Sequence, residues 1–90
     1  MSEDKNLKIN FSLFISSLLM EGLMALGATE NPITKKTETN LEHASQVIDA
    51  LDMLKEKTKG NLTAEEGTGL DQALHQMRML YISKKEEKKA

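Results

Sequence analysis

The chain has 90 residues, no cysteine, 39% hydrophobic and 3% aromatic residues, and a formal net charge of −2. That length holds one small domain, and without cysteine neither disulfides nor thiolate metal sites can stabilise it. Residues 9–83 carry six basic and ten acidic side chains, an acidic balance that argues against nucleic acid as a partner, because such domains concentrate basic charge on their folded surface.

Residues 1–8 (MSEDKNLK) are mixed-charge and almost without apolar side chains, so residues 1–9 read as a disordered arm. A single domain is expected over 10–83. The apolar residues of the whole chain are mainly Leu (13), Met (6) and Ile (5), with one Val, which favours helices over strands. Three helices are predicted, at about 11–26, 41–58 and 64–82.

The first has Asn10 or Ser12 as candidate N-cap and Gly27 as the residue after its end. At 100° per residue its main apolar face holds Phe11, Phe14, Ile15, Leu18, Leu19, Ala25 and Leu26, with Gly22 among them. A second apolar patch, Leu13, Met20 and Met24, lies nearly opposite. A helix apolar on two faces needs two surfaces to pack against. Its own chain supplies one, and a second copy, another protein or lipid supplies the other. The expected oligomer interface is Phe11, Phe14, Ile15, Leu18 and Gly22, with Met20 or Met24 as the alternative face. A homodimer is the simplest closed assembly.

Lys5 and Lys8 precede this apolar run, and Ala25-Leu26-Gly27 loosely mimics a signal-peptidase site. Glu3 and Glu21 argue against that reading, and removing the helix would leave a hairpin with little core. A spanning helix needs about 20 apolar residues; this segment is shorter and contains Glu21. The expectation is a cytoplasmic chain, with peripheral membrane association through the first helix as the alternative.

Residues 27–39 form a long connection containing Pro32. It could wrap a neighbouring chain, allow a swapped arrangement or move freely. The second helix has the stripe Leu41, Ala44, Val47, Ile48, Leu51 and Leu54. Its start is either Thr39 with Glu42 in capping-box spacing or Asn40 alone. Glu42, Asp49, Asp52 and Glu56 line its wet side. A solvated acidic face is the plain reading, since acid–base work needs a cleft that shifts a pKa. A contact with a basic protein partner is the functional one.

Lys55, Lys57 and Lys59 suit the helix C-terminus, and Gly60 suits the left-handed position after it. Asn61 and Leu62 close the turn, and Thr63 with Glu66 caps the third helix. An anion-binding corner at Lys57 and Lys59 is the competing reading, weakened because Glu65 and Glu66 already hold the helix start. The third helix has the stripe Leu70, Ala73, Leu74, Met77, Leu80 and Tyr81. Gly67 and Gly69 weaken its first turns. The short link makes helices two and three an antiparallel hairpin. Residues 84–90 read as a charged tail that either extends the last helix or frays, since nothing in it can bury. The fold class is therefore all-α: an apolar N-terminal helix plus an antiparallel hairpin, completed as a multi-helix bundle by self-association.

Nothing in the chain spells out catalysis. His43 and His75 lack the three or four convergent ligands of a metal site; Asp71 is the one residue at helical spacing from His75. Ser12, Ser16 and Ser17 have no histidine nearby in sequence and no nucleophile-elbow glycines. No Gly-rich phosphate loop is present. Met20, Met24 and Met77 fall on apolar faces, where packing is the default and adaptable binding the minority reading. No catalytic residue, metal or cofactor is therefore assigned. A non-catalytic, homo-oligomeric protein-interaction module is the expected function.

The run Lys55–Glu66 (KEKTKGNLTAEE), with the Ile-Asp-x-Leu-x-Met-Leu pattern of Ile48–Leu54 before it, resembles the domain-of-unknown-function 1844 family of small bacterial proteins. The Leu26-Gly27 end of the first helix, Leu41 with Ala44, and Arg78-Met79-x-Tyr81 fit in order, so the resemblance covers roughly residues 9–82. It implies an all-helical fold and attaches no activity, cofactor or catalytic residue. Gly67 and Gly69 depart from the pattern, where better helix formers are expected.

Overall fold

The computed structural model describes residues 9–89; the expected arm lies almost wholly outside the described residues. Three helices follow in order: α1 (Phe11–Ala25), α2 (Leu41–Lys57) and α3 (Ala64–Lys89). No strand forms among the described residues, and each helix packs against both others.

The helix ends follow from local chemistry. Asn10 caps α1 by accepting from the Leu13 amide at 2.8 Å. Asn40, not Thr39, caps α2, accepting from the His43 amide at 3.0 Å. Thr63 and Glu66 make the reciprocal capping box of α3: the Thr63 amide donates to Glu66 Oε1 at 2.9 Å, and the Glu66 amide donates to Thr63 Oγ1 at 3.1 Å. These contacts satisfy donors that a helix start otherwise leaves unpaired. Gly60 ends the α2 turn at φ +83 and Gly27 follows α1 at φ +73, the left-handed region that an L side chain occupies at a cost.

The core is one cluster: Ile15, Ala25, Leu26, Ala44, Val47, Leu51, Leu70, Ala73, Leu74 and Met77. Leu26, Leu51, Leu70, Leu74 and Met77 are its largest fully buried side chains, each worth about 1.5–3 kcal/mol of burial. Gly22 sits where α1 is packed tightly against side chains of α2 and α3. A Cβ placed there would collide with Met77 Sδ and Cε and lie 3.1 Å from Val47 Cγ1.

Two open readings are narrowed. Of the two alternatives for residues 84–90, the structure shows the extension: the last helix runs past 82, through the charged residues, to Lys89. Lys and Glu are good helix formers, Lys84 approaches Glu87 at 3.8 Å and Lys85 lies 5.9 Å from the centre of the Tyr81 ring. The 27–39 connection folds back on its own chain. Leu26 and Thr39 form an antiparallel bridge, and the Asn40 amide donates to the Ala25 carbonyl at 2.6 Å. Within the loop, Asn31 Oδ1 accepts from the amides of Ile33 and Thr34 at 2.8 and 3.3 Å, and the Asn31 amide donates to the Lys36 carbonyl at 2.9 Å.

Candidate functional site

The seven residues expected at an oligomer interface divide by position. Ile15 and Gly22 are buried within the chain's own core, and Phe11 and Leu18 pack against it. They are therefore engaged by α2 and α3 and do not form a free face. The main apolar face of α1 is the wider one, and the stripes of α2 and α3 are long enough to cover it. Phe14 at its edge stays 43% exposed.

The opposite face is what remains open. Met20 is 51% exposed, and Leu13 and Met24 are partly exposed. Together with Ser17 they fall at positions 13, 17, 20 and 24, the 4-3-4 spacing of a helix–helix seam. Ser17 donates its hydroxyl proton to the Leu13 carbonyl at 3.1 Å, so that small side chain already has an acceptor for its proton.

On α2, Glu42, Asp49 and Glu56 are exposed and Asp52 is half-buried. Asp52 pairs with Arg78 of α3, and Lys55 Nζ lies 2.8 Å from Asp71 Oδ1. Exposed pairs of this kind contribute about 0–1 kcal/mol each. Among the described residues no ion pair engages Glu42, Asp49 or Glu56. In their midst lies Met53, 50% exposed. Lys57, Gly60 and Asn61 occupy the α2–α3 turn. The Asn61 amide donates to the Thr58 carbonyl at 2.8 Å, while Thr63 and Glu66 are occupied in capping.

Two shallow recesses accompany these faces. One, of about 240 Å³, lies between α1 and α3, with Ser12, Ser16, Gln72 and Gln76 above Ile15 and Leu70. The other, of about 210 Å³, lies between α1, the loop and α2, and holds Glu21, Lys36, Glu38 and His43. His43 Nε2 is 2.8 Å from Glu21 Oε2. The sequence reading missed this cross-helix pair, although Glu21 on a polar flank of α1 was the available signal. Neither Ser12 nor Ser16 shares its recess with a histidine. His75 is exposed on α3, and among the described residues no three His, Cys, Asp or Glu side chains converge on a metal position.

These features define a small all-α protein whose distinctive surfaces are helix faces. The chain belongs to the family described as "Domain of unknown function (DUF1844)", whose profile matches residues 8–83. Among curated proteins and solved structures, none matches the chain. No helix among the described residues is long and apolar enough to cross a membrane.

Proposed function

We propose that the chain is a non-catalytic interaction module that self-associates through the outward face of α1. The observation that carries this reading is the outward seam of exposed Met20 with partly exposed Leu13 and Met24, on a helix whose other face is already packed. Met side chains suit such a surface because they adapt to the shape opposite. Two copies meeting about a two-fold axis bury the same seam on each. The acidic face of α2 is the surface offered to other basic partners.

The α2–α3 hairpin runs antiparallel in this reading. The order of the pairs Asp52–Arg78 and Lys55–Asp71 supports it, because the α3 partner moves back along the chain as the α2 partner moves forward.

Light scattering on the full chain tests the proposal. The native chain has at least a dimeric mass at micromolar concentration, and Met20→Glu with Met24→Glu lowers that mass while the chain stays helical. A native monomer that unfolds cooperatively refutes it. A native monomer that sediments with phosphatidylserine vesicles, and loses that property in the same variant, would assign the face to lipid instead.

A further inference from the structure

The 27–39 loop presents an unusual tip. Ile33 is 87% exposed, the most exposed large apolar residue among the described ones. It is held out by a defined turn: Asn31 binds the amides of Ile33 and Thr34, and the Lys35 amide donates to the Asn31 carbonyl at 2.8 Å. Lys35 adopts φ +62, a conformation that costs a non-glycine residue free energy. Lys35 and Lys36 are both exposed, and among the described residues no ion pair engages them. The loop's acids, Glu30 and Glu38, lie on its two limbs and leave the tip itself cationic.

The same molecule carries the complementary surface. Met53 on the outer face of α2 is 50% exposed, with Asp49 one turn before it and Glu56 one turn after. One patch is an aliphatic side chain followed by two lysines; the other is an apolar side chain with Asp49 and Glu56 beside it, and with Lys57 at the helix end. Charge complementarity of this kind selects partners and fixes register.

We propose that the loop tip of one copy docks on the outer face of α2 in a second copy, Ile33 against Met53, with Lys35 and Lys36 facing Asp49 and Glu56. The contact joins two different patches. Made reciprocally about a two-fold axis, it occurs twice and closes a dimer. It extends the self-association reading but does not use the α1 seam, so the two are separable.

A charge-swap experiment tests it, read by sedimentation velocity of the full chain over concentration and salt. All the substituted side chains are exposed, and circular dichroism verifies that each variant stays helical. Lys35→Glu with Lys36→Glu puts an acidic tip against an acidic face; Asp49→Lys with Glu56→Lys puts a basic tip against a basic face. Each variant alone should associate at least about tenfold more weakly than the native chain, and the native association should weaken with salt. An equimolar mixture should recover association, because the acidic tip of one variant meets the basic face of the other. Ile33→Ser should weaken association without altering charge. Variants that associate like the native chain, or a mixture that recovers nothing, overturn the proposal. So does an Ile33→Ser chain that self-associates normally but no longer binds phosphatidylserine vesicles, an outcome that would assign the tip to a lipid surface. If Met20→Glu with Met24→Glu leaves the mass unchanged while the swap behaves as stated, the α1 seam fails and the tip contact stands.

Discussion

Substituting Gly22 with alanine probes the tight contact of α1 with Met77 and Val47 in the core. In an exposed helix the change would stabilise by about 1 kcal/mol, from propensity alone. Here the new methyl meets Met77 Sδ and Cε, and Val47 Cγ1 at 3.1 Å. Val47, itself buried, must give by a few tenths of an ångström. Met77 is 0% exposed, so its tip has no open space to enter and its neighbours must shift. Overpacking of a filled core costs about 1–3 kcal/mol. With contacts to two atoms of one enclosed side chain the upper half of that range applies, leaving a net loss of about 1–2 kcal/mol. For a domain of this size each kcal/mol lowers Tm by roughly 4–8 °C. The assay is urea unfolding followed by circular dichroism at fixed protein concentration, since association would otherwise shift the midpoint. Met77→Ala alone should cost about 2–5 kcal/mol. Adding Gly22→Ala to that background should be neutral or stabilising, because the collision is gone. Equal effects of Gly22→Ala in both backgrounds, or a stabilised single variant, would refute the close α1–α3 packing.

Further outcomes follow from the helix ends. Gly67 and Gly69 face open space, so alanine at either position should raise stability by up to about 1 kcal/mol in the same unfolding assay. Thr63→Ala removes one arm of the capping box and should cost about 1 kcal/mol, with Thr63→Ser nearly neutral. Gly27→Ala should be destabilising by about 1–2 kcal/mol. Its φ is +73 and the new methyl would lie 2.7 Å from Thr39 Oγ1; amide exchange at Asn40 should speed up as the loop neck loosens.

The sequence carried most of the scaffold because its signals are local. Asn10, Asn40, Gly60 and the Thr63–Glu66 pair each fix a helix end by chemistry within four residues, and the three stripes follow from periodicity alone. What escaped depends on contacts distant in the chain. The periodicity of α1 gives two apolar faces but not which of them α2 and α3 cover, so Ile15 and Gly22 read as interface residues although they lie in the core. The residues after Ser83 contain nothing to bury, so periodicity could not decide between an extended and a frayed end of α3. The loop neck joins Leu26 to Thr39 through backbone groups that no side-chain pattern reports.

The central claim is that α1 turns a second apolar seam towards another copy of the chain. The absence of cysteine allows a direct measurement. A Ser17→Cys variant carries one spin label per chain, in the middle of the seam. Packed helices lie about 8–10 Å apart, so double electron–electron resonance, or continuous-wave broadening at short range, should find the labels within about 20 Å. A label at Gln76, in the recess between α1 and α3, should report a longer separation. No inter-label coupling at position 17, together with a mass of 10.1 kDa, would contradict the account.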